Sequence, residues 1–158
     1  MQDLTVTGLE KKSNQELATK LNELLANYHI YYQNVRGFHW NIKGSNFFQL
    51  HAKFEELYTN ALTRIDEIAE RILTLGYTPL HSFSEFIGNS SIKETHNLTS
   101  DRETVGTTIE NITLLIKLER EILKLADESG DEGTEDLLST DLNENEKTLW
   151  MLNAFLNG

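Results

Sequence analysis

The sequence predicts an all-α fold, a four-helix bundle whose second and third helices are joined by one long crossover that carries a short helix. Three observations predict it. Four long stretches repeat apolar residues at spacings of three, four and seven, the period of an amphipathic helix. No stretch shows a convincing alternation of two, so strands are not expected. The strongest breakers, among them the single proline Pro79, fall between those stretches. At 158 residues the chain has the size of one domain, 1–158, with room for a core that needs no covalent staples.

The first helix is expected to open at Ser13, with Glu16 three residues on in a capping-box pattern, which leaves 1–12 as a flexible tail. Its stripe runs through Leu17, Leu21, Leu24, Tyr28, Tyr32, Val35 and Ile42, and Lys43-Gly44-Ser45 breaks it. A second stripe from Phe47 through Leu50, Phe54, Leu57, Ala61, Ile65, Ile68 and Ile72 to Leu75 ends at Gly76 and Pro79. Residues 77–99 form the long connection, with a short helix around Ser84–Ile87 whose Phe83 and Phe86 pack down. Ser100 and Glu103 make a second capping box, and the third stripe, from Val105 through Ile112 to Ala126, stops at Ser129-Gly130. The fourth covers Thr134–Leu156 through Leu138, Leu142, Leu149, Leu152 and Phe155. Helices joined short, long, short let the second and third run parallel, the ferritin-like arrangement rather than simple up-down-up-down.

Composition narrows the chemistry. The chain has no cysteine, so disulfides, thiolate zinc sites and a cysteine nucleophile are excluded. Fourteen Lys and Arg stand against 25 Asp and Glu, a net charge of −11, which argues against a large DNA-binding surface and favours the approach of cations. No apolar run approaches the ~20 residues of a membrane span. The start MQDLTVTGLEKK lacks the apolar segment of a secretory signal, so a cytoplasmic location is expected.

Two histidines sit in helical pattern among aromatics and acids: His39 in Gly37-Phe38-His39-Trp40, and His51 after Leu50. His51 and Glu55 are four apart, as are Asp66 and Glu70, so each pair shares a helix face. Imidazole with carboxylate suits a borderline cation such as Fe(II) or Zn(II); on spacing alone, the same pairs read first as a solvated face. His29, His81 and His96 lack such company and read as surface or loop histidines. No histidine follows a glutamate by three, so the Glu-x-x-His di-iron site inside a bundle is excluded. Asp66 follows His51 by 15 residues, roughly 22 Å along one helix, too far to share an ion within one chain. Two copies of the helix crossing antiparallel about a two-fold axis near Tyr58 would bring them together in two identical sites.

The run NVRGFHWNIKGSNFFQLHAKFEELYTNALTRIDEIAERILTLGYTP (34–79) closely resembles the Dps family, the miniature ferritins, and the ending EKTLWMLNAFL resembles that family's final helix. The resemblance implies a ferroxidase and iron store that oxidises Fe(II) preferentially with hydrogen peroxide, at non-haem iron sites between subunits of a hollow dodecamer built from two-fold dimers. It implies ligands His39 and His51 from one subunit with Asp66 and Glu70 from its mate. Position 55, an aspartate ligand in many members, is Glu55 here. Trp40 matches the family's tryptophan beside the centre, an electron donor by that resemblance; the same ring also suits packing at the dimer contact. Asp127 and Asp136 match carboxylates of the family's three-fold pores. For Asp131, Glu132 and Glu135, complementing a helix N-terminus is at least as good a reading. DNA condensation, the alternative for which the family is named, generally uses a basic terminal extension; residues 1–16 hold only Lys11 and Lys12 against Asp3, Glu10 and Glu16, so DNA binding is not expected.

Overall fold

The computed structural model describes residues 4–158. Its helices are α1 (Lys11–Asn41), α2 (Phe47–Thr74), α3 (Phe83–Asn89), α4 (Asp101–Ser129) and α5 (Glu132–Leu156). α1 and α2 form one antiparallel hairpin and α4 and α5 another, with α1 packed on α4 and α2 on α5. The Lys43 amide donates to Thr99 O at 2.9 Å, and Asn46 Nδ2 donates to Asp101 Oδ2 at 3.0 Å. The starts of α2 and α4 are therefore side by side, and the two helices run parallel.

Asparagines on the outer side of α1 hold the crossover in place. Asn22 donates to Thr78 O and accepts from the Leu80 amide. Asn27 Oδ1 accepts from the amides of Ser91 and Ile92 and from Ser90 Oγ. Asn34 donates to Lys93 O and accepts from the Thr95 amide. These bonds satisfy backbone groups that an irregular segment would otherwise leave unpaired. α3 has its own capping box, Ser82 with Glu85, at the same three-residue spacing as the pairs at Ser13 and Ser100.

The helix ends follow local chemistry, with exceptions. Ser100 caps α4 by accepting from the Glu103 amide. Gly130 ends α4 at φ +69°, a left-handed conformation that costs glycine little. The expected Ser13–Glu16 capping box does not form. α1 starts two residues earlier, Glu10 is its N-cap without a side-chain bond, and Ser13 Oγ instead donates back to Glu10 Oε2 at 3.4 Å. The expected tail divides in three: 1–3 lie outside the described residues, 4–10 make a hydrogen-bonded turn, and Lys11 and Lys12 belong to α1. α5 likewise begins two residues before Thr134, capped by Asp131. Phe86 packs down as expected, against the ring of His29, but Phe83, the first residue of α3, is 84% exposed. His29 is not a surface histidine: its ring stacks on Phe86 at 3.7 Å, and the burial lowers its pKa.

At mid-height the bundle core is polar. Tyr28 of α1 donates to Glu119 Oε1 of α4 at 2.5 Å. Asn145 of α5 donates to the same oxygen at 2.8 Å, and accepts from Arg64 Nη1 of α2 at 2.6 Å. Arg64 also pairs with Asp141 at 3.3 Å and with Glu144. Glu119 is fully buried, and burial outweighs its hydrogen bonds and raises its pKa to about 7; burial likewise raises Asp141 to about 6. Both native pKa values exceed the unfolded ones, 4.5 and 3.8, so the native state keeps protons that the unfolded chain has released. Stability therefore falls as the pH rises through roughly 4 to 7, by on the order of 3 kcal/mol for Glu119 alone. The thermal midpoint is expected to drop between pH 5 and pH 8, and Glu119→Gln to flatten that slope; an unchanged slope in the variant would contradict this account.

Candidate metal centre

His39 lies in the last turn of α1 and His51 in the second turn of α2, and the hairpin brings them face to face. Their rings stack at 3.8 Å, 13° from parallel. Each ring bonds to the other residue's backbone: His39 Nδ1 lies 2.7 Å from His51 O, and His51 Nδ1 lies 2.7 Å from His39 O. The local chain makes this possible. His39 O belongs to the end of a helix, where carbonyls lack an intrahelical partner, and the Lys43 amide that could have capped it goes to Thr99 O. A carbonyl only accepts, so both Nδ1 atoms carry a proton, and the position left to bind a metal on each ring is Nε2. A backbone acceptor on one nitrogen is the usual way a metal-ligating imidazole is oriented and its tautomer set.

Aromatic side chains enclose the pair. Phe47 stacks on His51 at 5.0 Å, and Tyr58 meets His39 edge-on at 5.4 Å. The spacing held a signal for these two that reading for ligands passed over: Phe47 stands four before His51 and Tyr58 seven after it, the same side of a helix.

Of the acids on α2, Glu55 is one turn from His51, and Asp66 and Glu70 lie far along the helix. Glu55, Asp66 and Glu70 are all exposed, and Asp66 is roughly 22 Å along the helix from His51. Among the described residues, no three His, Asp or Glu side chains of one chain gather as a metal site. The structure thus brings His39 and His51 together and leaves Asp66 and Glu70 apart from them. Interspersed on the outward side of α2 are the exposed apolar residues Phe48, Leu62 and Leu73. Trp40 is 59% exposed, with the Arg36 guanidinium 4.9 Å over its ring, and it lines a groove of about 640 Å³ between α1, α3 and residues 94–98.

Asp127 and Asp136 are exposed on either side of the α4–α5 turn. Glu135 between them is held above the ordinary carboxylate range, by desolvation first and then by neighbouring Asp127. Asp131 has a different part. It is 2% exposed, caps α5 through the Thr134 amide and accepts from Arg71 Nη2 at 2.6 Å, so the cap reading holds for it. Arg71, adjacent to Glu70, thereby ties the end of α2 to this turn. A Cβ at Gly133 would stand 2.7 Å from the guanidinium, so a larger residue there would displace the Arg71 side chain.

Residues 18–158 match the ferritin-like domain family. The chain is 41% identical over 152 residues to the DNA protection during starvation protein of Porphyromonas gingivalis, covering 96% of each. A crystal structure of a Dps protein from Vibrio cholerae, described as a member of a broad superfamily of ferritin-like diiron-carboxylate proteins, superposes with a TM-score of 0.96. It is 47% identical, and the match covers 99% of this chain and 98% of that one. The Dps protein of Bacillus brevis matches with a TM-score of 0.89 at 39% identity, over 92% of this chain and 97% of that one. With the ferritin-like domain matched over residues 18–158, and with likeness to Dps relatives and Dps structures over nearly its whole length, the chain belongs to the Dps family of ferritin-like proteins.

Proposed function

We propose that the protein is a ferroxidase and iron store that oxidises Fe(II), preferentially with hydrogen peroxide, at centres formed between two copies of the chain. The observation that carries this reading is the reciprocal pair of histidine hydrogen bonds. It prepares two nitrogen donors on one chain while the exposed carboxylates that would complete the set stand too far along the same helix to reach them. Antiparallel crossing of two α2 helices about an axis near Tyr58 sets His39 and His51 of one chain against Asp66 and Glu70 of the other. Leu62 then falls near the axis, where its exposed apolar side chain is covered. Glu55, one turn from His51, supplies a further carboxylate to the same centre. The likeness to a protein described as a ferritin-like diiron-carboxylate member supports iron as the substrate.

Each chain residue has a defined task. The Nε2 lone pairs of His39 and His51 and the carboxylates of Asp66 and Glu70 hold Fe(II), and the harder oxygens favour Fe(III) once formed. Two irons held together give one peroxide both electrons: two Fe(II), one H2O2 and two protons become two Fe(III) and two waters, and no hydroxyl radical is released. Trp40, next to His39 in the chain, is the donor that likeness to the family suggests, and its exposed ring equally suits packing at the contact between two chains. Asp127 and Asp136 line the entry of Fe(II) into a cytoplasmic dodecamer, whose acidic field draws cations in and collects the ferric product. The alternative, DNA condensation, has only the relatives' names behind it; a net charge of −11 opposes phosphate binding.

The deciding experiment is rapid-mix absorbance of Fe(II) with limiting peroxide. About two Fe(II) oxidised per peroxide, in a fast phase, is the expected result. One iron per peroxide with free hydroxyl radical would defeat the reading.

A further inference from the structure

A line of redox-active rings leaves the histidine pair within one chain. His39 meets Tyr58 edge-on at 5.4 Å and 70°, and Tyr58 meets Tyr32 edge-on at 5.9 Å and 89°. Tyr32 in turn accepts a hydrogen bond from Arg36 Nη1 at 3.0 Å, and the Arg36 guanidinium lies 4.9 Å over both the Tyr32 ring and the Trp40 ring. Packing alone asks for apolar rings at these positions; it does not ask for two phenols in series against a metal-binding imidazole.

We propose that Tyr58 is an electron reserve for the centre, which supplies peroxide with its second electron when only one iron is bound. The inference rests on the ferroxidase reading. A centre that fills stepwise meets peroxide while half-loaded. One Fe(II) then reduces H2O2 to hydroxide and a hydroxyl radical and becomes Fe(III). The radical takes the hydrogen atom of the Tyr58 phenol, leaving water and a tyrosyl radical. The next Fe(II) returns an electron to Tyr58, a proton restores the phenol, and that iron leaves as Fe(III). In sum two Fe(II), one H2O2 and one proton give two Fe(III), one hydroxide and one water, the same electron count as at a fully loaded centre.

Tyr58 suits this task better than Trp40 does. It touches a ligand ring directly and is half-buried, which shields its radical from solvent. Trp40 is exposed and carries a guanidinium over its face, a cation that holds electrons on the ring and makes their removal harder. Tyr32, beyond Tyr58, lies under the same guanidinium and accepts a hydrogen bond from it, so the cation that disfavours Trp40 also holds electrons on Tyr32 and keeps the radical on Tyr58.

The test is electron paramagnetic resonance of the assembled protein, loaded with one Fe(II) per centre and mixed with peroxide, with a spin trap reporting escaping hydroxyl radical. The wild type is expected to show a tyrosyl signal and little spin adduct. Tyr58→Phe, which keeps the ring contacts and loses the phenol, is expected to lose most of the signal and to raise the spin adduct several-fold, whereas Trp40→Phe keeps the tyrosyl signal. Should Tyr58→Phe not assemble, wild-type protein with ring-deuterated tyrosine decides: narrowing of the signal, with the trapped adduct mapped to Tyr58 by mass spectrometry, supports the proposal. A tryptophan radical, an adduct mapped elsewhere, or a Tyr58→Phe protein whose signal and spin adduct equal the wild type's overturns it. Failure of the wild type to oxidise two irons per peroxide at full loading would instead overturn the ferroxidase reading, so the two outcomes are separable.

Discussion

Coexpressing a chain without the site histidines (His39→Ala, His51→Ala) and a chain without the site acids (Asp66→Asn, Glu70→Gln) is expected to restore the fast phase of iron oxidation that each lacks alone. The arithmetic follows from two-fold symmetry. Random pairing makes half of the dimers mixed, and a mixed dimer has one centre with all its ligands and one left with only Glu55, so about a quarter of the wild-type centres return. Each parent alone has only half-built centres, and its fast phase is expected to fall to the buffer rate. Elution at the wild-type size shows that assembly survives, and two affinity tags confirm mixing. Mixed assemblies with no recovery would show that histidines and acids do not meet between chains, and parents that keep the fast phase would remove these residues from the chemistry.

Arg64→Met is expected to be the most damaging single change to the fold, by about 3–5 kcal/mol, the usual effect of removing one member of a buried ion pair. Arg64 and Asp141 have side chains 8% and 5% exposed, and Arg64 also binds Asn145 and Glu144. Without it Asp141 loses its buried counter-charge, beside a fully buried Glu119 whose second oxygen already has no hydrogen-bond partner. Adding Asp141→Asn and Glu119→Gln to Arg64→Met is expected to recover much of the loss, since the charges that need compensation are then gone. Chemical denaturation of the three proteins at one pH checks this. Equal stability of Arg64→Met and wild type would show that the core does not depend on the ion pair.

Much of this was legible without coordinates. The period of the apolar stripes located all four long helices, and Ser100 with Glu103, Gly76 and Gly130 marked ends that the structure confirms. Where local signals misled, tertiary partners had outcompeted them. Ser13 and Glu16 have the capping spacing, yet the chain before them turns back through Thr5 and Leu9, and the helix starts at Lys11. His29 looked solitary because its companion, Phe86, lies on another helix. Arg64 stands on the buried side of the second stripe, between Ala61 and Ile68; a charged residue at an apolar position was the visible sign of a polar core, although its partners could not be named.

By itself the sequence determined where the helices run, the acidic charge, and the fact that His51 and Asp66 cannot meet on one helix, because period, composition and rise per residue are local or additive properties. The tertiary structure alone decided the histidine tautomers, the placing of Tyr58 against His39 and the four-helix network around Glu119. Those depend on bonds between residues 12, 91 and 117 apart in the chain, which acquire a distance and a direction only when the helices pack.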